Sequence, residues 1–231
     1  MSEISSPSAG VEFGAYIALP QKTPAPGIVV AQEIFGVNQV MRDICDWLAR
    51  EGFVAGCPDL FWRIEPEIQL TDKTEAEWAR AFELFNLFDV DKGIEDMKLT
   101  LAHMRKHEAC NGKAGTIGYC LGGKIAYLMA TRSDADCSVG YYGVGLAELL
   151  GEAGNIGKPL MLHCATKDRF VPREAQEQVS AGLAGNSHVT LHLYEGQDHA
   201  FAREGGEHYD AAAARLANDR TLAFLREHLG S

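Results

Sequence analysis

Long apolar runs are missing from this chain of 231 residues, and the longest, residues 27–31 and 125–130, fall far short of the roughly 20 residues that span a bilayer. Nor do the first thirty residues join a basic head to an apolar stretch, so no leader is expected and the protein is expected in the cytoplasm, without a membrane partner. Basic residues are scarce: 21 Lys and Arg against 32 Asp and Glu leave a formal net charge of −11. A field of that sign repels phosphate backbones, so nucleic acid is not an expected partner. The 6 cysteines include no C-x-x-C pair, which argues against both a zinc site and a disulfide framework. Reduced thiols are expected, most of them small buried apolar residues, and no metal. Repeats, low-complexity tracts and dividing linkers are also absent, so residues 1–231 read as a single domain with only about the first eight residues loosely held.

What is present is an ordinary globular composition, 46% hydrophobic and 23% charged, with apolar periodicity that switches repeatedly between strand and helix patterns. That switching predicts an α/β domain: a mostly parallel central sheet flanked by helices. Strands are expected at 27–32, 53–58, 113–119, 138–142, 159–165 and 188–194. A helix is expected after Asn38, a plausible N-cap, with Val40, Met41, Ile44, Trp47 and Leu48 on one face and Gly52 as its stop. Thr74 with Glu77 three residues on reads as a capping box opening an aromatic-rich helix through Phe88. Another helix carries Val90, Ile94, Met97, Leu101 and Met104, and further helices are expected at 121–131, 175–183 and 209–229. Residues 59–73 form an irregular stretch, read as a surface loop near a functional site.

The strongest chemical signal is Gly118-Tyr119-Cys120-Leu121-Gly122-Gly123, set between a strand and a helix. This has the form of a nucleophile elbow with cysteine in place of serine. The sharp turn needs glycine on both sides of the nucleophile because a larger side chain would strike neighbouring backbone. The helix opening at Leu121 aims free amides and its positive dipole end at the sulfur, favouring negative charge there. The bland alternative is a buried cysteine in a glycine-rich turn.

A thiol nucleophile needs a base and a group to orient it, and elbow hydrolases supply them later in the chain in the order nucleophile, acid, histidine. Asp168 follows the 159–165 strand and His199 follows the 188–194 strand, each just past a carboxyl end, where open α/β sheets bind ligands. Taken singly, Asp168 reads equally as a turn residue and His199 as a loop hydrogen-bonder. His103 and His107 lie one helical turn apart, but Met104 stands where the zincin pattern requires glutamate, so they read as a solvated face.

With these motifs the chain resembles the dienelactone hydrolases of the α/β-hydrolase superfamily, over nearly its whole length. Beyond the elbow the resemblance rests on Ala31-Gln32-Glu33-Ile34-Phe35-Gly36-Val37-Asn38, Cys57-Pro58-Asp59-Leu60, Gly140-Tyr141-Tyr142-Gly143-Val144-Gly145-Leu146 and Gly196-Gln197-Asp198-His199-Ala200-Phe201-Ala202-Arg203. It implies an α/β-hydrolase fold and a Cys120-His199-Asp168 triad. It also implies that Glu33 helps remove the thiol proton, a residue otherwise readable as a surface charge, and that the Ile34 and Leu121 amides form the oxyanion hole. It makes Arg203 a clamp for a substrate carboxylate, where a surface ion pair is the alternative, and lines the pocket with Phe35 and Tyr142. The family's second arginine has no match: Trp78 occupies its position, Arg80 lies nearby but about 200° round the helix, and Phe82 stands where tyrosine is usual.

The implied activity is hydrolysis of a small carboxylated unsaturated lactone, of the dienelactone-to-maleylacetate type, through an acyl-thioester intermediate and without a metal or organic cofactor. An enol leaving group suits a thiol nucleophile, since a thiolate otherwise departs first. Two alternatives stand beside it: a broader carboxylesterase or thioesterase with the same triad, and a non-catalytic small-acid binder or thiol sensor. The oligomeric state is not readable from the sequence.

Overall fold

The structure is a computed structural model that describes residues 2–6 and 11–230. Of the first eight residues, expected to be loosely held, residues 1, 7 and 8 lie outside those described, while 2–6 form a strand. The chain divides into two compact units, one running to residue 115 and the other from 116 to 230.

The first unit contains β1 (Ser2–Ser6), β2 (Val11–Ala18), β3 (Ala25–Ala31), α1 (Gln39–Arg50), β4 (Val54–Pro58), α2 (Glu75–Leu87), α3 (Val90–Lys106) and the start of β5 (Cys110–Tyr119). Its strands lie in the order β1-β2-β4-β3-β5. β3 and β4 are parallel, whereas β2 runs antiparallel to both β1 and β4. β3 is buried along its whole length, as its run of Val, Ile and Ala requires. Asn38 caps α1 as expected, accepting a hydrogen bond from the Met41 amide, and Met41, Cys45 and Leu48 carry the buried face. The chain leaves α1 through Gly52 at φ +98°, a conformation that glycine alone adopts cheaply. Thr74 caps α2 through the Glu77 amide, but Glu77 reaches back to the amide and hydroxyl of Thr71 as well as the Thr74 hydroxyl.

The second unit is built from the end of β5, then α4 (Leu121–Arg132), β6 (Ser138–Tyr141), a 3-10 helix (Ala147–Asn155), β7 (Leu160–Ala165), α5 (Arg173–Leu183), β8 (Val189–Tyr194) and α6 (Ala211–Leu229). β5, β6, β7 and β8 lie side by side in that order, all parallel. α4 is buried over most of its length, Leu121 to Thr131 with few breaks, consistent with its glycine- and alanine-rich sequence. Behind the site lies a buried polar chain. The Tyr141 hydroxyl meets Thr221 and Asn218, the two nitrogens of His163 meet Thr221 and Tyr194, and Arg220 donates to Tyr194. Burial holds the His163 pKa well below its ordinary value, so this imidazole is a neutral member of the network.

The mostly parallel sheet with flanking helices is the architecture that the periodicity predicts, with most boundaries shifted by a few residues. β1, β2 and the 3-10 helix have no counterpart in that reading. β2 buries Phe13, Ala15 and Ala18, but its alternation is carried by alanine and glycine as much as by large apolar residues. The stretch 59–73 is irregular as expected but is no simple surface loop. Asp59, Leu60, Phe61 and Ile68 are buried, and Asp59 accepts the amides of Phe61 and Glu67.

Candidate active site

Cys120 stands between β5 and α4 at φ 57°, ψ −114°, a conformation costly for any side-chain-bearing residue. The turn is held by the Cys120 amide, which donates to Tyr141 O at 3.0 Å, and by the Cys120 carbonyl, which accepts from the Gly123 and Lys124 amides. A Cβ on Gly118 would lie 1.9 Å from Gly122 O, and one on Gly123 would lie 2.5 Å from Tyr141 O. These collisions are the physical content of the glycine pattern around the cysteine. No side chain caps α4, so Leu121 opens the helix with its amide at the positive end of the dipole.

Asp168 lies in the loop after β7 and His199 in the loop after β8. The structure brings them together: His199 Nδ1 lies 2.9 Å from Asp168 Oδ2 and 3.1 Å from Oδ1. A carboxylate can only accept, so Nδ1 carries the proton and Nε2 is the nitrogen left for proton transfer. The side chain is buried, at 3% exposure. Burial disfavours the imidazolium, but the charge of the Cys120 sulfur and the Asp168 carboxylate outweigh it, so the His199 pKa is raised to about 10. Tyr142 and Phe170 meet the imidazole edge-on, at ring-centroid distances of 5.0 and 4.9 Å. Tyr142 at φ 38° and Ala200 at φ 62° share the positive φ of Cys120, so among the described residues two of this unit's strained non-glycine positions lie against or beside His199.

Arg203 is also buried, at 7% exposure, which removes the reading of a solvated surface arginine. The other cysteines of this unit are chemically quiet: burial pushes the thiols of Cys137 and Cys164 up to about 12.

The remaining candidates belong to the first unit. Glu33, Ile34 and Phe35 follow β3 directly, and Glu33 is only 1% exposed, so it is not the surface charge that sequence alone allows. Their loop is pinned: the Leu70 amide donates to Phe35 O, and a Cβ on Gly36 would lie 2.0 Å from Ile68 O. Trp78 packs edge-on against Phe35 with ring centroids 5.0 Å apart and stacks on Phe82. Arg80 is engaged by Glu65 and Glu83, so a substrate carboxylate would have to displace an existing partner. His103 and His107 are partly exposed, and His107 Nδ1 is occupied by the Ala109 amide. Among the described residues no group of three or more His, Cys, Asp or Glu is placed to hold a metal ion, and no helix is long and apolar enough to cross a membrane.

Sequence reasoning missed Phe170, which packs on His199, and the bonds that Asp198 makes between the two loops. Only the adjacency of Asp198 to His199 could have drawn attention to it.

The comparisons with known proteins point to one family. A family model described as "Dienelactone hydrolase family" matches residues 13–229, across both units. A protein named "Putative carboxymethylenebutenolidase" from Azospirillum brasilense is 52% identical over 100% of both chains. The carboxymethylenebutenolidase of Pseudomonas putida is 41% identical over 94% of this chain and 92% of its own length. Among solved structures, a "Putative Dienelactone Hydrolase" from Klebsiella pneumoniae matches with a TM-score of 0.86 at 26% identity, covering 98% of each chain.

Proposed function

Because the chain belongs to the dienelactone hydrolase family, carboxylic ester hydrolases of the α/β-hydrolase fold, we propose that it hydrolyses a small carboxylated unsaturated lactone through a Cys120-His199-Asp168 triad and an acyl-thioester. The observation that carries this reading is the paired His199 and Asp168 in the same unit as a cysteine on a strained, glycine-flanked elbow.

In the first step Glu33 takes the thiol proton, a role that rests on family resemblance, and the Cys120 sulfur bonds to the lactone carbonyl carbon. The amides of Ile34, again by resemblance, and Leu121 hold the oxyanion. Collapse breaks the ring C–O bond, and the departing enol oxygen takes a proton from the His199 imidazolium, which its bond to Asp168 stabilises. Neutral His199 then removes a proton from water, whose oxygen adds to the thioester carbonyl. A second collapse frees the acid, and the expelled sulfur recovers its proton from Glu33. Asp168 stabilises the imidazolium and holds its tautomer. Arg203 meets the substrate carboxylate, with Phe35 and Tyr142 as lining residues. Thiol and imidazole supply the nucleophile and the proton, so no step calls for a metal or organic cofactor.

A broader esterase or thioesterase activity is the second reading. It is favoured by Trp78 at the position of the family's second arginine and by the engagement of Arg80 with Glu65 and Glu83. Hydrolysis of a carboxymethylene-butenolide, followed by loss of its conjugated absorbance, tests both. Wild type should turn it over, and Cys120→Ala should lose at least about a thousandfold in kcat. Turnover of a neutral aryl ester through Cys120 with the lactone left intact selects the esterase. No turnover of either, or turnover that survives Cys120→Ala, removes the triad mechanism.

A further inference from the structure

The loops that carry Asp168 and His199 are irregular and begin at neighbouring parallel strands, β7 and β8. Their mutual position is therefore not set by the sheet alone. Hydrogen bonds from backbone amides join their bases: the Lys167 amide donates to Gln197 O at 2.8 Å, the Thr166 amide to Tyr194 O at 3.1 Å, and the Gly196 amide to the Thr166 hydroxyl at 2.9 Å. At the level of the triad itself the joining group is a side chain. Asp198 Oδ1 accepts the Arg169 amide at 2.9 Å and the His199 amide at 2.6 Å, the backbone donors just after the acid and at the histidine. Its other oxygen accepts from Arg169 Nε at 3.2 Å, with His208 Nε2 at 3.8 Å and Glu207 bordering both Arg169 and His208.

We propose that Asp198 is a positioning residue: through those two amides it sets the register in which the His199 imidazole meets the Asp168 carboxylate. Tyr142 and Phe170 limit the tilt of the ring, but they do not fix the backbone that carries it. That backbone needs fixing. It passes through Ala200 at φ 62° and the glycines at 205 and 206 before α6 begins. One carboxylate oxygen shared by two amides from distant parts of the chain ties both loops at once. The shared acceptor, rather than the partly exposed ion pair with Arg169, is the positioning element, since surface pairs contribute little. The kinetic part of this inference rests on the proposed hydrolase function, whereas the geometric part does not.

The test uses full-length wild type, Asp198→Ala, Asp198→Asn, Asp198→Ser and Arg169→Met, with 4-nitrophenyl acetate as the kinetic probe and imidazole NMR titration of His199 without substrate. Misplacing a catalytic group by a fraction of an ångström costs about tenfold to a hundredfold, so Asp198→Ala should lose that much in kcat with KM within about twofold of wild type. Its His199 titration midpoint should fall toward the ordinary imidazole range. Asp198→Asn keeps the shared acceptor oxygen and Arg169→Met keeps both amide bonds, so both should stay near wild type in kcat and titration. If Asp198→Ala does not fold by circular dichroism, Asp198→Ser, whose short hydroxyl reaches at most one amide, should fall between Asn and wild type on one side and complete loss on the other. An Ala or Ser variant with wild-type kcat and wild-type titration overturns the proposal, as does an Asn variant as impaired as Ala. Should wild type hydrolyse neither this probe nor a carboxymethylene-butenolide while Asp198→Ala still moves the His199 titration, the hydrolase reading fails and the positioning role stands.

Discussion

Burial disfavours charge on His199, while the neighbouring Cys120 sulfur and Asp168 carboxylate favour it and prevail, raising its pKa. A pKa raised to about 10 in the folded protein makes stability depend on pH with a definite sign. The folded state binds this proton more tightly than the unfolded chain, whose imidazole titrates near about 6.5. The contribution is therefore fully present below about pH 6.5 and is lost as pH rises through about 10. Urea denaturation of wild type and His199→Gln between these limits isolates it, since other titrating groups are common to both. The wild-type advantage should shrink as pH rises, and parallel stability curves would contradict the assignment.

The helices show how local chemistry sets an element's start. Asn38 accepts from the Met41 amide at 3.2 Å, and its own amide nitrogen donates to Leu70 O at 2.8 Å, so it caps α1 and pins the 59–73 stretch to it. Asn38→Ala should cost about 1–2 kcal/mol in urea denaturation, with an unchanged m-value. A loss of only a few tenths would mean that water replaces both bonds. Caps of this kind were legible because side chain and amide lie within one turn. No such cap marks α5, expected from residue 175: the helix opens at Arg173 behind Pro172, whose fixed φ leads into the first turn without a side-chain cap. β2 was illegible for the opposite reason: its burial pattern depends on its partners, β1 and β4, more than on its own small residues.

Taken as a whole, the protein carries a formal charge of −11 and, in the proposed reaction, admits an anion. The diffuse field of that charge reaches far at low salt and is screened within about 8 Å at 0.15 M. The proposed clamp, Arg203, is buried, where screening is weak. Raising ionic strength from about 0.01 M to about 0.15 M should therefore increase kcat/KM for the carboxylated lactone while leaving a neutral aryl ester unchanged. A fall for the lactone would show that local cationic attraction outweighs the molecular field.

The elbow, the placing of Asp168 and His199 just past strand ends, and the alternation of strands with helices all follow from residues close together in the chain, where glycine spacing and apolar period act directly. The meeting of Asp168 with His199, the burial of Glu33 and Arg203, the capture of Arg80 by Glu65, and the grip of Asp198 on two loops follow from no such local rule. Each depends on distances that close only when separate loops pack, and it is desolvation and hydrogen-bond geometry in the packed state that select which charged group faces which partner.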